Sequence, residues 1–261
     1  MPPFEHLRAI VRHGDDGEVL VAETAECLTR FDDDPAALVV TCRRLLGHHP
    51  ESAPLWWLCS RVLCAPDAAA AAREAQDLLR RDPTPARLGA LLPFPADHPV
   101  AVLGWPEPVG DALKARPDLE VLAVRGPAAA AGWERRLGHS AVDARPVDLT
   151  EALALDASHV LVEAVAAGGN RVITHAGTTE AVDTLLRPGR QVWLVAPVGR
   201  VLPERLLGAF LGEVGSFERR ALELVDIQRF DRIAGPDGLV RPDQLGRCVD
   251  CPIAPELLRI R

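Results

Sequence analysis

The chain has no tyrosine, one methionine and a single lysine, Lys114, among 29 basic residues. So little lysine beside so many arginines marks the bias of a GC-rich genome, and no arginine can be given a task from abundance alone. A formal net charge of -8 argues against the concentrated basic face that nucleic-acid phosphates require, so nucleic acid is not an expected partner. No apolar run reaches the 18 residues of a membrane helix, and the start MPPFEHLRAI lacks a hydrophobic signal core. A cytoplasmic protein with no membrane partner is expected. Cys27, Cys42, Cys59 and Cys64 fall in helical patterns of a chain too large to need disulfides, and no cysteine lies between Cys64 and Cys248.

Cofactor motifs are equally scarce. The first strand pattern runs into GWPEPVG rather than a glycine fingerprint, so no dinucleotide is expected, and no other cofactor is implied. Cys248-Val-Asp-Cys251 has the spacing of half a zinc site or of a redox pair. Zinc would have to recruit His48, His49 or Cys59 from a distant domain, while Pro252 and Pro255 mark an irregular tail, so no metal site is assigned.

What is present divides into two patterns. Up to about Leu92 only helices are legible. EVLVAETAECLTRF carries apolar residues at three- and four-residue spacing, and Pro35 opens AALVVTCRRLLGHH at the favoured first-turn position. SAPLWWLCSRVLCAP and DAAAAAREAQDLLRRDP follow as a hairpin with Ser52 and Asp67 as caps, resembling one tetratricopeptide unit. A solenoid needs about three such repeats, so a helical cap on the following domain is the better reading. Trp56 and Trp57 are neighbours on a helix and point about 100° apart. They cannot form one stacking platform; one is expected to pack inward and the other to meet a neighbouring domain or subunit.

From Val100 onward strands and helices alternate. VAVLGW, LEVLAVRG, ARPVDL, HVLVEA and QVWLVAP read as strands separated by helical stretches. Such alternation implies parallel pairing through right-handed crossovers. The expected fold is α/β: an N-terminal all-helical domain (1–92), a Pro-rich linker (93–99), and a doubly wound, mainly parallel Rossmann-like sheet domain (100–261) with an irregular C-terminal tail. Ligands of such sheets sit beyond the carboxyl ends of the strands, here near Gly104 to Glu107, Arg125, Glu163 to Thr178, and Pro197 to Arg200.

LVEAVAAGGNRVITHAGTTEAV followed by VWLVAPVGRVLP resembles the carboxyl-terminal domain of the regulatory subunits of translation initiation factor 2B, a fold shared with methylthioribose-1-phosphate and ribose-1,5-bisphosphate isomerases. The resemblance runs from Val100 to about Leu245, ends in FDRIAGPDGLVRPDQL, and implies a divergent bacterial member. Matched to the family pattern, Gly177 and Thr178 are its Gly-Thr helix start, and Thr174 with His175 stands where the family has Asn and Lys. Gly169, Asn170 and Arg171 take the place of its Asn-Gly-Gly turn, and Glu163 is the nearest acid to its strand-end carboxylate. The strand-end cysteine of the isomerases has no counterpart, and LGWPEP lacks the serine and arginine of the family's first turn.

Two sets of candidate residues follow. Arg125, Gly169, Asn170, Arg171, Thr174, Gly177, Thr178 and Arg200 are ligand-binding candidates, because helix-start amides attract anions and the arginines and His175 add positive charge at one expected edge. Thr178 can equally be a plain N-cap. Glu163 and His175 are the acid-base pair if the protein is an enzyme. The expected function is non-catalytic binding or sensing of a small phosphorylated metabolite, a sugar phosphate or nucleotide, by a homodimer. The alternatives are a sugar-phosphate aldose-ketose isomerase and a protein-interaction scaffold using the helical domain.

Overall fold

The computed structural model describes residues 17–31, 34–91, 98–125, 133–217, 219 and 221–259, with the side chains of 17–19 and 134–136 excepted. Most of the expected linker, 93–97, lies outside the described residues. The chain forms two compact units built from interleaved segments. A helical unit takes residues 1–82, 198–215 and 249–261, and a sheet unit takes 83–197 and 216–248. A single cut near residue 92 therefore does not describe the chain: two later segments return to the helical unit, and the helix 84–91 goes with the sheet.

In the helical unit, α1 (Gly17–Leu28), α2 (Pro35–His48), α3 (Ala53–Cys64) and α4 (Ala68–Arg80) are followed in sequence by strands of the other unit and then by α10 (Glu204–Val214). Pro35 at the first position and Asp34, which accepts from the Ala37 amide at 2.9 Å, start α2. Asp67 caps α4 in the same way through the Ala70 amide at 2.7 Å, whereas Ser52 makes no side-chain cap to α3.

α3, APLWWLCSRVLC, is apolar on nearly every side, the mark of a helix enclosed by others. It packs against α1, α2, α4 and α10. Both tryptophans are buried inside this unit, because no face of α3 is left for a neighbour. Trp56 meets Phe210 of α10 edge-on at 6.0 Å and donates its Nε1–H to the Pro50 carbonyl at 3.0 Å. Trp57 donates to the Asp250 carbonyl at 2.7 Å and lies under the Arg61 guanidinium. The carboxyl-terminal segment is pinned to α3 further along: Ser60 donates to the Pro252 carbonyl at 2.6 Å and accepts from the Ala254 amide at 2.9 Å. The tail is irregular because side chains of α3, not a ladder of its own, satisfy its backbone.

The sheet unit opens with α5 (Thr84–Leu91) and then β1 (Val100–Leu103), α6 (Glu107–Lys114), β2 (Val121–Val124), α7 (Trp133–His139), β3 (Ala144–Val147), α8 (Leu149–Ala154) and β4 (His159–Glu163). The chain continues through β5 (Ala166–Ala167), β6 (Arg171–His175), α9 (Thr178–Leu185), β7 (Gln191–Val195), β8 (Leu222–Asp226), β9 (Arg232–Gly235) and β10 (Gly238–Val240). The main sheet has the order β10-β9-β7-β4-β1-β2-β3, parallel throughout except for the β9–β10 hairpin. The five strands read from the sequence lie side by side in it, all parallel: β1, β2, β4 and β7 carry the buried apolar runs of strands covered on both faces, and β3, with two exposed residues, forms the edge.

One feature was not legible as a separate layer. The chain leaving β4 makes a hairpin, β5–β6, whose second strand pairs antiparallel with β8 in a three-stranded sheet of order β5-β6-β8. Of the residues matched to a turn, Gly169 and Asn170 join the two strands of the hairpin, and Arg171 already opens β6.

Among the described residues, no helix is long and apolar enough to cross a membrane. Replacing Ser60 by alanine removes a donor and an acceptor of the tail at once. Urea unfolding is expected to show a loss of about 1–3 kcal/mol, and a variant as stable as the wild type would contradict the anchoring role.

Candidate functional site

The order of the main sheet reverses between β1 and β4, the position where α/β sheets open a crevice. β1 ends there in two left-handed residues, Gly104 (φ 73°) and Trp105 (φ 49°). A bulky residue at positive φ is an outlier that its surroundings must hold in place. The ring of Trp105 is buried against Gly110 of α6, where a Cβ would stand 3.3 Å from Nε1. An indole thus fills the ground behind the first strand end.

The expected site residues distribute over several places. Arg125, after β2, is exposed and its guanidinium lies over the Trp133 ring at 5.4 Å. Glu163 closes β4, half-buried and in register with Val195. Gly169 and Asn170 turn the β5–β6 hairpin, with the Asn170 carbonyl accepting from the Ile227 amide. Arg200 follows Gly199 in the helical unit, where a Cβ on Gly199 (φ 81°) would stand 3.1 Å from the Pro54 Cα.

Arg171 and His175 are the two ends of β6, about 13 Å apart along an extended strand. Arg171 stands opposite Asp226, and His175 opposite Leu222. Side chains alternate across a strand, so Arg171, Ile173 and His175 leave one face of the small sheet, and Val172 and Thr174 the other. The register places Thr174 opposite Glu223.

That alternation decides what surrounds the start of α9. Gly177 (φ 88°) is its N-cap residue. Thr178 does not cap: its hydroxyl donates back to the His175 carbonyl at 2.7 Å. The Glu223 carboxylate takes the seat instead, accepting from the Gly177 amide at 3.2 Å, the Thr179 amide at 2.5 Å and the Thr179 hydroxyl at 3.1 Å. The positive end of the helix is thereby matched by a charge from β8. Arg171 and His175 leave the face opposite to Glu223, so they do not join the helix start in one cradle. Thr174 does share the face of Glu223, and it is fully buried with no partner for Oγ1 among the described residues.

Sequence reasoning placed an anion at the α9 start and missed the residue that supplies it. Glu223 sits in LELVD, an alternating strand pattern beyond the last helix, and alternation assigns it a face without naming what that face meets.

The remaining titratable groups belong to the frame. Arg190, nearly buried, donates to the Leu185 carbonyl at 2.8 Å, to the Leu153 carbonyl at 3.3 Å and to Asp156 at 2.6 Å. It ties together the ends of α8 and α9, and its guanidinium holds the Asp156 carboxyl below the usual range. Cys248 and Cys251 fall in different units. Burial pushes Cys251 up to about 12 and raises Cys248 as well, the opposite of an activated thiol. Among the described residues no group of three His, Cys, Asp or Glu could hold a metal.

The fold of this chain matches that of initiation factor 2B-like proteins. The translation initiation factor eIF-2B of Pyrococcus horikoshii OT3 superimposes with a TM-score of 0.72 at 12% identity, covering 93% of this chain and 98% of that one. A chain of the tetrameric eIF2B-beta2-delta2 complex of C. thermophilum gives 0.66 at 14% identity, covering 94% and 92%. The 5-methylthioribose 1-phosphate isomerase of P. horikoshii OT3 gives 0.64 at 13% identity, covering 94% and 85%. No family model matches the chain, and no curated protein matches it in sequence. The fold is shared; at these identities function is not carried with it.

His159, at the opposite end of β4 from Glu163, provides a check on the frame. It is buried edge-on against Trp193 at 5.5 Å, and burial holds it below the ordinary 6.5, opposed in part by the charge of Asp231. Unfolding restores the ordinary value, so the unfolded chain binds the extra proton. The stabilising contribution is complete above pH 6.5 and is lost as pH falls below it. His159→Asn is expected to flatten the fall in unfolding midpoint between about pH 7.5 and 5.5. His49, lowered for the same reason, leaves a residual slope of the same sign. An unchanged slope in the variant would contradict the buried neutral imidazole.

Proposed function

We propose that this protein binds a small phosphorylated metabolite, a sugar phosphate or nucleotide, without turning it over, and that it does so as an initiation-factor-2B-like homodimer. The observation that carries this reading is the α9 start, where two amides and a hydroxyl already hold a carboxylate. The same donors suit a phosphate, for which a helix N-terminus is a common seat.

Turnover is the weaker reading because of where the acid and base stand. Isomerisation across two sugar carbons needs a proton acceptor and a donor flanking the phosphate-bearing substrate. His175 leaves the β6 face opposite to the one that bears the seat, and Glu163 ends a strand of the other sheet. Likeness to complex-forming eIF2B subunits supports self-association.

Melting curves over a panel of sugar phosphates and nucleotides test the reading. A ligand that selects the native state stabilises it by about 2.7 kcal/mol at a hundred times its Kd. The expected outcome is a shift with at least one phosphorylated compound and no conversion of it. Turnover abolished by Glu163→Ala would replace the binder with an isomerase. No shift across the panel would leave the scaffold reading.

A further inference from the structure

Glu223 fits its seat with one polar atom left over. Both carboxylate oxygens are engaged: one takes the Gly177 amide and the other the Thr179 amide and hydroxyl. Thr174 is the direct cross-strand partner of Glu223, so both side chains leave the same face of the small sheet. Thr174 is 0% exposed, and among the described residues its Oγ1 has no partner. A buried hydroxyl without a partner is rare enough in native proteins to require a reason.

The reason offered by the geometry is the shape of the ion. A carboxylate is planar and has two oxygens. A phosphomonoester presents three terminal oxygens in a tetrahedron, enough to meet the same three donors and to offer an acceptor to a hydroxyl on the same face of the small sheet. The α9 start supplies eight helical residues behind that charge.

Glu223 is also placed so that it can leave. It lies on β8, which borders β6 on one side only, and it is half-buried. Its neighbour Leu224 is 48% exposed. A rotamer change takes the carboxylate to water without breaking a ladder bond, because those bonds belong to the backbone.

We infer that the amides of Gly177 and Thr179 with the hydroxyls of Thr179 and Thr174 form a seat for a tetrahedral oxyanion, and that Glu223 is its resident stand-in, expelled when a phosphomonoester binds. The inference rests on the metabolite-binding reading and names how the site is held shut. A phosphate dianion and the Glu223 carboxylate cannot share the seat, since like charges at such range repel. Apparent affinity is therefore the intrinsic affinity reduced by the fraction of molecules in which Glu223 is out. Ligand binding and the release of β8 from the α9 start become one exchange.

Calorimetric titration of the full chain with inorganic phosphate, ribose 5-phosphate and acetate tests this in wild type, Glu223→Ala, Glu223→Gln and Glu223→Ala combined with Thr174→Val. Removing the stand-in is expected to tighten phosphate binding by about tenfold or more, with Glu223→Gln falling between. Adding Thr174→Val is expected to weaken phosphate by about tenfold and to leave acetate unchanged. Should Glu223→Ala fail to fold, Glu223→Gln keeps the shape and carries the comparison. If ribose 5-phosphate binds all forms with one affinity, the seat is wrong while metabolite binding stands. If no form binds any phosphate, each showing a cooperative melt, both are overturned.

Discussion

The contact between the Glu223 carboxylate and the amides that begin α9 joins the small sheet to the start of that helix. α9 follows the hairpin directly and leads into β7, so its start stands where the small sheet hands the chain back to the main one. Its start is a backbone terminus with unpaired donors, which must be satisfied by water, side chain or ligand. In this chain a charged side chain from a distant strand does so. A helix end that depends on one removable group is also a helix end that a competing anion can address.

Around that contact the sheet unit is conventional and firm. Its centre is a block of valine, leucine and alanine on β1, β2, β4 and β7, closed on one side by Trp105, Trp133 and Trp193. The crossing of α5 over α6 is close enough that a Cβ on Gly89 would stand 2.8 Å from the Ala112 carbonyl oxygen. A core packed this closely has low compressibility and moves as a block, which leaves independent motion to edges. β8 is such an edge, whereas Arg190 and the buried His159 belong to the fixed part.

Much of this was readable from residues. Five parallel strands, their order of appearance and the Gly177 helix start all follow from apolar runs and punctuation by glycine and proline. The likeness of LVEAVAAGGNRVITHAGTTEAV to the initiation factor 2B pattern was legible in the same stretch, and the shared fold agrees with it. Other features depend on partners far apart in sequence. Nothing in DIQRF or LELVD announces that β8 turns back to β6, nor that Glu223 meets Thr179 across 44 positions. Trp57 finds its acceptor 193 residues away at Asp250, so a local pattern could not tell that both tryptophans are enclosed. Arg125, Arg171, His175 and Gly177 read as one cluster because all fall at the edge expected beyond the strand ends; strand alternation, invisible until the register is known, sends Arg171 and His175 to the face opposite Glu223.

The most direct measurement is of the two amides themselves. In a backbone-resolved NMR titration with inorganic phosphate, the account predicts that the Gly177 and Thr179 amide signals move together with the Glu223 side-chain carboxyl resonance, along one saturation curve. Movement of other amides at saturation, with Gly177, Thr179 and Glu223 unchanged, would contradict it.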